Sequence, residues 1–132
     1  MPGAGVALDR DSPHLPRPAP IDAYGGGGFR FAGMSHRGSL LCLPSGIWPV
    51  PIESPEAIDD ATLSLVMEEA PPVELLLIGT GTAHWVMPEA LRAAFRDRNV
   101  TVETMATGPA VRTYNILLGE SRRVAALLIA VT

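Results

Sequence analysis

The chain contains no lysine: all ten of its basic residues are arginine. Without a lysine amine there is no Schiff-base nucleophile and no phosphate-loop lysine, which excludes aldolase-type, pyridoxal-type and Walker-type nucleotide chemistry. Cysteine is almost absent as well. Cys42 is the single thiol in 132 residues; it can close no internal disulfide, and inside the apolar run 40–43 it reads as a small buried hydrophobe. An excess of positive charge is also missing. The net charge of -4, with a pI near 5.2, is the reverse of the basic footprint of a nucleic-acid binder, so no nucleic-acid partner is expected. Long apolar runs are lacking, and the longest, residues 124–131, falls far short of the roughly 20 residues that span a bilayer. The first 19 residues carry neither a positive leader nor an apolar stretch, so we expect no secretory signal and a cytoplasmic location. His14, His36 and His84 lie far apart, with no Cys or second His at ligand spacing, and no metal site or cofactor is expected. No Ser stands in a nucleophile-elbow pattern.

What is present reads as one domain, long enough to bury about two-thirds of the surface its unfolded chain exposes. Prolines at positions 2, 13, 16, 18 and 20 mark residues 1–20 as a flexible or extended arm, leaving 21–132 as the folded domain. From Ile21 to Ile52 the pattern is short and β-like. Phe29 and Phe31 alternate with Arg30 after the glycine run 25–28, and the apolar segments 40–43 and 47–52 follow, all punctuated by Gly, Ser and Pro, as in hairpins. Pro49 and Pro51 imply that the last of these strands lies at an edge or ends early.

After Ser54 the period changes. Leu63, Val66, Met67 and Ala70 follow a helical stripe that Asp59 or Asp60 can cap, with Ser54-Pro55 as an earlier start; Pro71 and Pro72 stop it. Residues 73–78 form a nearly continuous apolar strand. A helix follows from Pro88, with Leu91, Ala94 and Phe95 inward. A strand covers 100–105, and Thr107 is expected to cap a third helix that Gly119 ends. The final strand, 123–131, is strongly apolar. The second half is thus β-α-β-α-β, which implies right-handed crossovers. The fold expected is a single α/β domain: a central mixed, largely parallel sheet with helices packed on it, and N-terminal β-hairpins that either extend that sheet or form a second small one. Tyr114 and Leu77 are expected in the core.

Gly79-Thr80-Gly81, ending the buried strand, marks the edge at which open α/β sheets bind ligands. As a dinucleotide fingerprint it is incomplete. Glu103 stands where a ribose-binding acid would, but His84 replaces the third glycine and the next helix starts late. The second candidate is the polar block at the third helix, where Arg112 and Asn115 share a face turned away from Tyr114 and Leu118. A helix start with Arg nearby suits an anion or an acidic partner. Its alternative is purely structural, with Arg112 or Arg122 paired to Glu120 or another carboxylate. The candidate binding residues are therefore Gly79, Thr80, Gly81, Thr107, Arg112, Asn115 and Arg122, and none is a catalytic constellation.

Residues 75–81 (LLLIGTG), 102–107 (VETMAT), 112–117 (RTYNIL) and 120–126 (ESRRVAA) together resemble the domain of unknown function shared by mitochondrial complex I assembly factor 3 and the adipogenesis-associated domain proteins. The resemblance runs from Ile21 to Ile129 and is most specific after Leu75. It implies a compact α/β domain with a mixed sheet, no established catalytic residues, and action through protein partners. Pro109 and Val111 stand where small residues or Cys are usual in that family. A non-enzymatic accessory or assembly-helper protein is the function implied. The alternative is a small-ligand or anion-binding protein, or an enzyme, using a pocket at Gly79–Thr82.

Overall fold

Turn chemistry and alternation build the first half. In the computed structural model, which describes residues 13–132, β1 (Ile21–Gly25), β2 (Gly28–Phe31) and β3 (Met34–Arg37) form a three-stranded antiparallel sheet in that order. Gly26 and Gly27 make the two-residue turn at φ +62 and +83, the left-handed region that favours glycine in tight hairpins. Phe29 and Phe31 are buried while Arg30 between them is exposed. β3 corresponds to no strand expected from the sequence: Met34–Arg37 alternates half-buried and exposed positions without an apolar run to signal it.

The second sheet holds β4 (Ser39–Leu43), β5 (Gly46–Val50), β6 (Leu75–Gly79), β7 (Thr101–Met105) and β8 (Val124–Leu128), in the spatial order β5-β4-β8-β6-β7. β6 lies between β7 and β8 and is parallel to both, whereas the β4–β5 hairpin joins β8 antiparallel. Both options for the N-terminal hairpins are thus realised: one hairpin extends the main sheet, and the strands before it form a second sheet. Pro49 lies in β5, at the edge, where its missing N–H costs no ladder bond.

Three helices cross over this sheet: α1 (Asp60–Met67), α2 (Glu89–Arg96) and α3 (Thr107–Gly119). Asp59 caps α1, its Oδ1 accepting from the Thr62 N–H at 2.9 Å; Ser54-Pro55 begins only a single 3-10 turn at Pro55–Ala57. Pro88 occupies the cap position of α2, one residue earlier than its expected place. The expected Thr107 cap is corrected. Thr107 is the first residue of α3, the cap position belongs to Ala106, and the Thr107 hydroxyl is spent elsewhere, on the sheet.

The sheet is buried on both faces, so alternate residues of each strand enter different cores. On one face Leu41, Leu76, Ile78, Ala125 and Leu127 pack with Leu63 and Val66 of α1 and Phe95 of α2. On the other, Leu40, Cys42, Leu77, Ala126 and Leu128 pack with Tyr114 of α3 and with Phe29 and Phe31 of the small sheet. Tyr114 and Leu77 are core residues, at 1% and 0% exposure. Of the arm expected over residues 1–20, positions 1–12 lie outside the described residues. Residues 13–20 run along the domain: Leu15 bridges Ile47 of β5, and Ala19 is buried with its carbonyl accepting from the Tyr114 hydroxyl at 3.3 Å. No helix among the described residues is long and apolar enough to cross a membrane.

Candidate functional site

At the carboxyl end of β6 and β8, four of the seven candidate residues meet. The Gly81 N–H donates to Thr107 Oγ1 at 2.9 Å, the Thr107 N–H donates to the Gly81 carbonyl at 3.0 Å, and Thr107 Oγ1 donates to the Ile129 carbonyl at 2.7 Å. Thr80 ties the same knot to β7 through its N–H, which donates to the Met105 carbonyl at 2.8 Å. Its hydroxyl donates to the Ala83 carbonyl at 2.7 Å and shapes the loop beyond. The two glycines earn their places sterically. A Cβ on Gly79 would stand 3.0 Å from the Thr107 Cα and 3.2 Å from the Ala110 Cβ, so glycine lets the start of α3 close onto the strand end. Gly81 sits at φ +81, where a side chain is strained.

This geometry answers the phosphate question in physical terms. An anion at a helix N-terminus needs free first-turn N–H groups and room above them. Here the Thr107 N–H is taken by Gly81, Pro109 has no N–H, and the Tyr24 side chain stands against Gly108 so closely that a Cβ there would collide with its hydroxyl. The helix that follows the glycines is α2, which begins only at Glu89. Around the loop there remain two shallow clefts. One, of about 240 Å³, is lined by Thr80, Trp85 and Thr104–Ala106; the other, of about 260 Å³, by Glu53, Glu56, Thr80–Ala83 and the chain end.

The other three candidates fall elsewhere. Asn115 does not turn away with Arg112 into solvent. Its Oδ1 accepts from the Ile21 N–H and its Nδ2 donates to the Ile21 carbonyl, both at 2.8 Å, so the amide works as a clamp on the start of β1. The two residues share a face of α3, but the start of β1 covers it at Asn115. Arg112 is exposed. Arg122 lies at the opposite end of the parallel strands, where it donates to Glu74 Oε1 at 3.0 and 3.1 Å; its carboxylate is Glu74 and not Glu120. Sequence reasoning missed Tyr24 as a neighbour of Gly108 and Ile129 as a partner of Thr107, since contacts so distant along the chain leave no periodic signal.

Beside this knot, burial keeps two acids neutral. The Cys42 thiol is fully enclosed; burial pushes it up to about 12, against a lowering hydrogen bond from Tyr114. Burial, then Cys42, likewise holds the Tyr114 phenol protonated. Neither is a nucleophile at neutral pH. His36 lies with its ring centroid 5.2 Å from that of His14; burial, then the His14 charge, lowers its pKa, against a raising backbone hydrogen bond at Ser39. Among the described residues, no three His, Cys, Asp or Glu side chains are grouped to hold a metal ion.

A five-stranded mixed sheet, three crossover helices and a small antiparallel sheet on one face define a compact α/β domain, in which the Gly-Thr-Gly loop is bonded to the start of α3. The chain belongs to the family described as proteins of unknown function, DUF498/DUF598, whose model matches residues 21–129. It is 40% identical over 110 residues to an uncharacterized protein of Rhodobacter capsulatus, covering 83% of each chain. It is 30% identical over 115 residues to NADH dehydrogenase (ubiquinone) 1 alpha subcomplex assembly factor 3 of Mus musculus, covering 87% of this chain and 62% of that one, so it spans about three-fifths of that relative's length. The crystal structure of a protein from Bartonella henselae, described as an outer membrane protein, matches at TM-score 0.85 and 52% identity over 90% of this chain and 100% of that one. An NMR structure from Rhodopseudomonas palustris matches at TM-score 0.77 and 55% identity, over 90% and 88%.

Proposed function

We propose that this chain is a non-enzymatic helper that binds another protein during assembly of a respiratory or other membrane complex. The observation that carries the reading is the similarity, over most of this chain, to proteins named as assembly factor 3 of NADH dehydrogenase. The internal use of Thr107, Gly81 and Asn115 supports it, because the polar groups that would recognise a small ligand are occupied by the chain itself. A cytoplasmic location is part of the proposal, and cell fractionation tests it.

Deleting the chain from its source cells should lower the amount of fully assembled NADH dehydrogenase on native gels, and restoring it should recover the complex. Unchanged assembly in the deletion strain overturns the reading. A small-ligand role at the Gly79–Thr82 loop draws support from the two clefts there. A thermal-shift screen with nucleotides, phosphates and carboxylates separates the two, since a protein-binding helper should show no stabilisation by any of them.

A further inference from the structure

The edges of the sheets differ in how they are finished. At β5 the edge is covered: Leu15 exchanges backbone bonds with Ile47 at 2.8 and 3.2 Å, and Pro49 interrupts the strand. At β1 the Asn115 amide takes both backbone groups of Ile21. β7 has no such finish. It contains no proline, and its register against β6 runs unbroken from Thr101 to Met105.

The direction of its free groups follows from two bonds. The Thr101 N–H donates to the Glu74 carbonyl at 3.1 Å, and the Met105 carbonyl accepts from the Thr80 N–H at 2.8 Å. Inward bonding alternates along a parallel strand, so Thr101, Glu103 and Met105 face β6, while Val102 and Thr104 turn both N–H and C=O outward. None of these four outward groups has a partner among the described residues. Such a row is a template for one more strand.

We propose that the outer edge of β7 receives an extended segment of a partner protein, added as a further strand, with a basic side chain opposite Glu103. Charge selects this occupant. Glu103 is exposed and forms no ion pair among the described residues. Pairing β7 with a second copy about a twofold axis through its centre sets Glu103 against Glu103, and like charges directly opposite are destabilising. A Lys- or Arg-bearing strand converts that repulsion into attraction. The cleft lined by Trp85, Thr104, Met105 and Ala106 adjoins the end of the same edge and offers a seat for a flanking side chain. The inference rests on the protein-binding reading and gives it a site and a partner chemistry.

The probe is a short peptide of alternating Thr and Val with one central Arg, set against the same peptide with Glu in place of Arg. Amide hydrogen exchange of the full chain reads the outcome. The Arg peptide should slow exchange at Val102 and Thr104 and bind about tenfold more tightly than the Glu peptide. Thr104→Pro removes an outward N–H that the chain itself does not use, and should abolish the protection. If Thr104→Pro does not fold, Glu103→Arg carries the test: it should reverse the preference to the Glu peptide. Equal binding of both peptides, no protection by either, or binding unaffected by both substitutions overturns the proposal. So does a dimer on sedimentation that Thr104→Pro dissolves, which would make a second copy the occupant. In the deletion strain, a folded Thr104→Pro chain that restores assembly removes this site while leaving the assembly-helper reading intact; a chain whose deletion has no effect on assembly removes both.

Discussion

The two faces of the main sheet are packed by different means. Against α1 and α2 the contact is mainly apolar: Leu63, Val66, Leu76, Ile78, Phe95 and Leu127 pack together, and the buried Ser39 hydroxyl, at the start of β4, bonds Ile52 and Ala130. Against α3 and the small sheet, apolar packing is interleaved with directed bonds. Tyr114 reaches the Ala19 carbonyl, Asn115 clamps Ile21, and Thr107 joins Gly81 to Ile129. Hydrophobic burial is non-directional, so the first face needs chiefly shape and volume. The second must hold segments as far as 95 positions apart, and hydrogen bonds with fixed geometry decide which backbone atoms meet there.

Truncating a large side chain on the apolar face breaks that comparison most severely. Phe95→Ala should cost about 3–5 kcal/mol, and Leu77→Ala on the opposite face about 2–5 kcal/mol, both read as shifts in denaturant midpoint. A smaller loss at Leu77 would mean that the second core relaxes around cavities more readily than the first. Next comes the bonded face. Thr107→Val keeps the shape but leaves the Gly81 N–H and the Ile129 carbonyl unpaired, and should cost about 1–3 kcal/mol.

Alkaline titration sharpens the comparison further. The folded Cys42 pKa, raised by burial to about 12, exceeds its unfolded value of 9.0. Stability from this group is complete below pH 9 and is lost as the pH rises toward 12, because the unfolded thiol ionises first. Over that window the wild type should lose stability more steeply than Cys42→Ala, by about 1.4 kcal/mol per pH unit. Equal slopes would show that water reaches the thiol. The smallest effect belongs outside both faces: Arg122→Ala breaks an exposed pair with Glu74 and should cost about 0.2–1 kcal/mol.

Much of the architecture was legible in the residues. The run at 73–78 announced a strand covered on both sides, that at 123–131 a strongly apolar strand, the stripes at Leu63 and Leu91 announced helices, and of the two caps offered Asp59 holds the first of them. These signals are local, so neighbouring residues carry them. β3 escaped notice because it is half exposed and its stability comes from pairing with β2. The candidate residues were harder. Thr107 beside a helix start looked like a cap, yet its hydroxyl found two partners on the sheet, more than 20 positions away in each direction. Asn115 and Arg112 share a helical face, but only the position of β1 separates the half-buried clamp from the exposed guanidinium.

The residues by themselves determined which reactions lack the necessary groups, that both faces of a central strand must be covered, and that the glycine run 25–28 makes a turn. Hydrophobic period and glycine freedom act over a few residues and leave their mark in order along the chain. Only the tertiary structure decided that β4–β5 joins the main sheet while β1–β3 stand apart, that Gly79 makes room for α3, and that β7 ends the sheet with outward backbone groups unpaired among the described residues. Each of these depends on which distant segments compete for the same backbone groups, and that competition is resolved only when the whole chain has packed.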